Sequence, residues 1–176
     1  MTESRTKNKG FTLVELMITL AIAAILVGLA APSFNDLIKD SRLTTQINSL
    51  TASLNFARSE AIKRAITVTV CKSDDGEECG GNWNEGWIIY EDINGNGSVD
   101  TDDTIIRVNS ALTTGNTLVF PSKNRVTYQP DGFAIGYNST FTICDDRGYT
   151  KAKGLVVSNT GRVRIAEQSD LTSCTE

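Results

Sequence analysis

The sequence predicts an α+β fold, a long N-terminal helix packed on a C-terminal antiparallel β-sheet head, and three observations predict it. Phe11 to Ala31 is an apolar run with one ionisable side chain, Glu15. Apolar residues then recur as Phe34, Leu37, Ile38, Ile47, Leu50, Leu54, Ala57 and Ala61, at the three- and four-residue spacing of a helix face. After Ala65 the period falls to two, and β-branched and aromatic runs alternate with Gly, Asn and Asp clusters, as strands joined by tight turns require.

The first element has the length of a membrane span, since about 20 apolar residues suffice to cross a hydrocarbon core. Arg5, Lys7 and Lys9 against Glu3 precede it, while Asp36, Lys39, Asp40 and Arg42 follow with no net charge. The positive-inside bias therefore places Met1 in the cytoplasm and the rest outside. A removable secretory signal is the alternative, with Gly28, Ala30 and Ala31 as small residues for cleavage. Its apolar region would exceed the ~7 to 15 residues usual for such signals. It would also contain a carboxylate, and it would share its axis with the stripe that continues past Pro32. If the helix runs to Ala65, its outer half places Ala57 and Ala61 where a sheet can pack closely, with Arg58, Glu60, Lys63 and Arg64 on the opposite, solvated face.

Eight short strands are expected beyond it, at Ile66–Val70, Trp87–Tyr90, Thr104–Val108, Thr117–Phe120, Arg125–Tyr128, Thr140–Ile143, Gly154–Val157 and Arg162–Ile165. No helix-length pattern intervenes, so the pairing is antiparallel and the stem helix lies against one sheet. Trp83 and Trp87 read as core residues, with exposed recognition as the other use of such large rings. The 176 residues accommodate one such domain plus an anchor.

Composition narrows the chemistry. Histidine is absent, which removes imidazole triads and the commonest metal ligand near neutral pH. No nucleophile has an identifiable base and no phosphate-cradling glycine loop opens a helix, so an enzyme is not expected. Losing Met1 to Gly10 would move the formal charge from −4 to −6, a balance that argues against bulk attraction to nucleic acid while leaving room for a local basic patch. The four cysteines, Cys71, Cys79, Cys144 and Cys174, follow the apolar run and suit two disulfides outside the cytoplasm. Three pairings are open; Cys71–Cys79 with Cys144–Cys174 is the expected one, and zinc is the weaker alternative because no Cys-x-x-Cys pair is present.

Two motifs carry possible chemistry. Asp92-Ile-Asn94-Gly-Asn96-Gly97-Ser98-Val-Asp100-Thr-Asp-Asp103 has the ligand spacing of a calcium loop, with oxygen donors at the first, third, fifth, seventh, ninth and twelfth places and Gly at the sixth. Strands rather than helices flank it, so a long hairpin loop is the first reading and calcium the second; no other cofactor is expected. Further on, Gly161-Arg162-Val163-Arg164 forms a turn entering a strand whose alternation puts both arginines on one face, where paired guanidinium groups suit phosphates. Lys151 and Lys153 would extend such a patch, and Asp145 and Asp146 would oppose it.

The run Lys9-Gly10-Phe11-Thr12-Leu13-Val14-Glu15 resembles the processing site of type IV prepilins, in which a membrane peptidase cuts after the glycine and methylates the new N-terminal phenylalanine. The resemblance implies a leader at 1–10, a transmembrane helix at 11–31, a stem helix at 32–65 kinked near Pro32, and a periplasmic head at 66–176. It also implies that Glu15 meets the amine of a neighbouring subunit's first residue, Phe11 here. A carboxylate left unpaired in a bilayer would cost on the order of 2.5–3.5 kcal/mol; snorkelling or protonation is the other reading. The stretch Ala57-Arg58-Ser59-Glu60-Ala61-Ile62 is similar to the end of the stem in H-type pseudopilins and in the FimT and FimU minor pilins, which often show an acidic, Gly-rich hairpin as well. The implied role is a structural subunit that tips or primes a type II secretion pseudopilus or a type IV pilus, with other pilins and the prepilin peptidase as partners at the bacterial inner membrane. Gly161-Arg-Val-Arg164 resembles the motif with which FimT binds DNA in natural transformation, and DNA uptake is the alternative function.

Overall fold

A computed structural model describes Gly10 to Thr175; the leader expected at 1–10 lies, but for Gly10, outside the described residues. A helix, α1, spans Leu13–Arg64 through Pro32. It stops where Ala65 takes a positive φ of 55°, the left-handed geometry that closes a helix C-terminus. Lys63 and Arg64 sit in its last turn, where cations suit the negative end of the helix dipole.

Eight strands follow: β1 Val68–Lys72, β2 Gly86–Glu91, β3 Thr104–Ser110, β4 Thr117–Val119, β5 Arg125–Tyr128, β6 Ser139–Cys144, β7 Lys153–Val157 and β8 Val163–Ile165. Every pairing is antiparallel. They form two four-stranded sheets rather than one, in the orders β3-β2-β1-β5 and β4-β6-β7-β8.

The chain divides into two compact units at Lys39/Asp40, so residues 40–64 of α1 belong with the strands. In that second unit Leu43, Ile47, Leu50, Leu54, Ala57 and Ala61 share one core with Val68, Val70 and Ile89 of the first sheet and Phe141, Ile143, Leu155 and Val157 of the second. Both tryptophans are interior. Trp83 donates from Nε1 to the Lys123 carbonyl at 3.1 Å and meets Phe141 edge-on at 4.9 Å, while Phe120 and Phe141 stack at 3.9 Å.

The disulfides are Cys71–Cys79 and Cys144–Cys174. The first ties β1 to the loop behind it and joins Ile88 and Tyr90 in a small cluster completed by Val99 of the 92–103 loop. The second fixes the C-terminal segment to the end of β6, beside Ala152 and Leu171.

Two expectations need correction. Phe34 and Leu37 are more than 60% exposed and Ile38 39%, so the buried stripe begins at Leu43; the earlier positions precede the unit that contains the strands. Nor are the charged residues near the end of the helix all solvated. Glu60 is buried, bonded by Arg64 Nε at 2.6 Å, and Arg64 also pairs with Glu91 of β2. Burial is tolerated there because the carboxylate has cationic partners.

Candidate functional site

At the N-terminal end, Leu13, Val14, Leu16, Met17, Ile18, Leu20, Ile22, Ile25, Leu26 and Val27 are all more than half exposed. The helix is long and apolar enough to cross a membrane by length and composition. Glu15, the single carboxylate of the apolar run 11–31, has a local partner that the sequence reading passed over. Thr12 precedes the first helical residue; its Oγ1 accepts from the Glu15 N–H at 3.2 Å and its own N–H donates to Glu15 Oε2 at 3.4 Å. This reciprocal pair is a capping box, and its Thr-x-x-Glu spacing was legible in the sequence. Gly10 and Phe11 lie just ahead of the cap, with Phe11 83% exposed. A carboxylate in the first turn also answers the positive end of the helix dipole, so any amine brought to Glu15 arrives at a helix N-terminus already holding an acid.

The loop between β2 and β3 brings the proposed calcium ligands into one hydrogen-bonded unit. Asp92 is wholly buried; its Oδ2 accepts from Thr69 Oγ1 at 2.8 Å and from the Gly97 N–H at 3.0 Å. Its Oδ1 is buried without a partner among the described residues. Asp100 Oδ2 accepts from Asn94 Nδ2 at 2.8 Å and Asn96 Nδ2 at 2.7 Å, bonds that hold the Asp100 carboxyl below its usual range. Asn96 Oδ1 accepts from the Ser98 N–H at 2.7 Å. Asp103 accepts from the Ile93 and Asp100 N–H groups, both at 2.9 Å. Gly97 has a φ of 76°, and a Cβ there would collide with the Arg125 guanidinium.

The third candidate separates its two arginines. Arg164 grips Asp170 with two bonds, 2.7 and 3.0 Å, in a bidentate pair of the strong kind. Arg162 is exposed, and its guanidinium has no partner among the described residues. Lys153 Nζ donates to Thr44 Oγ1 at 2.6 Å. Asp145, expected to oppose a basic patch, instead binds Arg147 at 2.7 Å, which also reaches Asp40 at 2.8 Å. Gly161 serves packing: its φ is 73°, and a Cβ would strike the Gly132 carbonyl oxygen. Arg58 Nε donates to that same oxygen at 3.0 Å. The arginine of the Ala-Arg-Ser-Glu stretch thus clamps the Gln129–Gly132 turn, against which the first residue of the Gly-Arg-Val-Arg motif packs.

The family described as type II transport protein GspH matches residues 46–161, from the buried half of α1 through the Gly161 turn. The chain belongs to the GspH family. The prokaryotic N-terminal methylation motif matches residues 5–31, ahead of the GspH region. Fimbrial protein Q of Moraxella bovis is 48% identical over 45 residues, a match covering 26% of this chain and 29% of that protein. Among solved structures, the type IV minor pilin FimU of Pseudomonas aeruginosa aligns with TM-score 0.60 at 21% identity, covering 79% of this chain and 99% of FimU. The minor pseudopilin EpsH from the type 2 secretion system of Vibrio cholerae aligns with TM-score 0.50 at 13% identity, covering 71% of this chain and 96% of EpsH. At those identities the likeness is one of fold. This GspH-family chain is therefore a minor pilin or pseudopilin by family, with the pilin architecture of a long helix and antiparallel sheets.

Proposed function

We propose that this chain is a membrane-anchored structural subunit that primes or tips a filament, either a type II secretion pseudopilus or a type IV pilus. The observation that carries the reading is a folded head on the same chain as an apolar helical segment, Leu13 to Val27, whose large apolar side chains are more than half exposed. A surface of that extent is stable only in a bilayer or against like helices of neighbouring subunits. In this reading cleavage follows Gly10, Phe11 becomes a methylated N-terminus, and its amine pairs with Glu15 of the adjacent subunit. The N-terminus starts in the cytoplasm, the head is periplasmic, and the prepilin peptidase and other pilins are the partners. The work is assembly, not catalysis.

Mass spectrometry of membrane-derived protein tests the first step, and the expected mature chain begins with N-methyl Phe11. An intact leader, or an N-terminus near Ala31, would overturn it. Crosslinking to neighbouring pilins tests the second: Glu15→Ala should insert normally but crosslink less. Equal crosslinking would assign Glu15 to its own helix cap alone. DNA uptake remains the competing function, supported by the exposed Arg162 and opposed by the Arg164–Asp170 pair.

A further inference from the structure

We propose that the Asp92–Asp103 loop holds a single hard divalent cation, calcium in preference to magnesium, through Asp92, Asn94, Asn96, the Ser98 carbonyl, Asp100 and Asp103. The decisive observation is Asp92 itself. Its side chain is completely buried, yet one of its two oxygens has no donor among the described residues. A buried carboxylate is expected to be paired and fully hydrogen-bonded. The oxygen that is satisfied receives the Gly97 N–H from within the loop, so the carboxylate is already tied to the turn that would wrap a cation. The Arg125 guanidinium lies against Gly97 of the loop, and its Nε donates to the Tyr137 hydroxyl at 3.3 Å.

The loop's other donors show what a cation would replace. Asn94 and Asn96 both turn their amide nitrogens onto one oxygen of Asp100. Rotating each amide by half a turn exchanges nitrogen for oxygen at nearly the same place, at the expense of the bonds that their Oδ1 atoms accept from the Asn96 and Ser98 N–H groups. Two carbonyl oxygens would then face a carboxylate, an arrangement that repels itself unless a cation sits among them. As the loop stands, Asp92, Asp100 and Asp103 do not converge as a metal-holding group, so the loop must tighten on the ion, with amide and backbone oxygens completing the set and Asp103 releasing one of the two N–H groups it accepts. An all-oxygen set with several neutral members on a flexible loop suits calcium; magnesium demands tighter octahedral geometry and gives up water reluctantly.

The flanking elements set the consequence. The loop joins β2 to β3, and its Val99 packs on Tyr90, Ile88 and Cys71. A cation would therefore fasten the loop over that cluster and raise the stability of the head by linkage, with no helix pair to swing open.

The test uses the full chain in detergent micelles, freed of metal by chelation and titrated with calcium chloride in a calorimeter, with thermal melting in millimolar calcium and in chelator beside it. One ion per chain and a higher melting temperature in calcium are expected, with magnesium weaker. Asp92→Asn should abolish binding. Because Asp92 also anchors Thr69, that variant can fail to fold, and Asp100→Ala with Asp103→Ala provides the second arm, expected to lose ~10-fold or more in affinity. A folded wild-type chain that takes up no calcium and melts identically in both conditions would overturn the site. So would full binding by the double variant, which would put the ion elsewhere, and equal affinity for magnesium would overturn the preference.

Discussion

The two ends of α1 both carry leucines, and the fates of those leucines are opposite. Leu54 and Leu50 are at most 1% exposed, whereas Leu20 and Leu26 are 61 and 62% exposed. Around Leu54 the apolar residues keep to a stripe, and the chain supplies the sheets that cover it. Around Leu20 they run all the way round the helix, the pattern of a segment whose partners lie outside its own fold. A helix alone is therefore no guide to what holds it; the width of its apolar face is.

The sharpest way to break that comparison is to shorten a leucine at each end. Leu54→Ala removes methyl groups from a close-packed core and should cost about 2–5 kcal/mol of head stability. Leu20→Ala should change it by no more than ~0.5 kcal/mol. Denaturant melts of the two variants in the same micelles make the measurement, and similar losses would mean that the head leans on the apolar segment after all.

A second contrast lies between the disulfides, which close intervals of 8 and 30 residues. If they act by restricting the unfolded chain, removing Cys144–Cys174 by double alanine substitution should cost about 3.6 kcal/mol and removing Cys71–Cys79 about 2.5 kcal/mol. The reverse order would show that the short bridge matters through packing, because Cys71 is itself buried with Ile88 and Tyr90.

Much of the fold was legible because its signals are local. The strands near 68–72, 86–91 and 139–144 announce themselves by β-branched and aromatic residues between turn clusters. The division into two sheets was not legible, since strand order depends on long-range pairing such as β1 with β5, which leaves no periodic trace. The same limit governed the sites. The spacing of oxygen-bearing side chains in the 92–103 loop could be read directly, but the burial of Asp92 against Thr69 could not. Nor could the reach of Arg58 to Gly132, 74 residues away, which turned a residue expected on the solvated face into a clamp. Losing that charge-assisted bond by Arg58→Leu should cost about 1.5–3 kcal/mol, read as a lower denaturation midpoint; an unchanged midpoint would reduce the clamp to a surface contact.

The smallest expected effect separates the two arginines of the Gly-Arg-Val-Arg motif. Arg164 and the Glu167 N–H together hold the Asp170 carboxyl down at about 2, from an ordinary value of 3.8. A carboxyl depressed in the folded state adds stability above its unfolded value and loses that contribution as the pH falls through the folded one. Wild type should therefore outlast Asp170→Asn at pH 5 and above, with the difference shrinking between about pH 4 and pH 2. The pair is exposed, so added salt should shrink the difference too. Asp170→Asn also releases Arg164 two residues from the exposed Arg162. If this edge reads phosphates, the variant should bind DNA more tightly than wild type and with a steeper salt dependence, and Arg162→Ala with Arg164→Ala should abolish the gain. Binding by neither wild type nor Asp170→Asn near physiological salt would leave Arg164 as the brace of the C-terminal turn, Gly161 as the packing partner of the carbonyl that Arg58 clamps, and filament assembly as the reading without a rival.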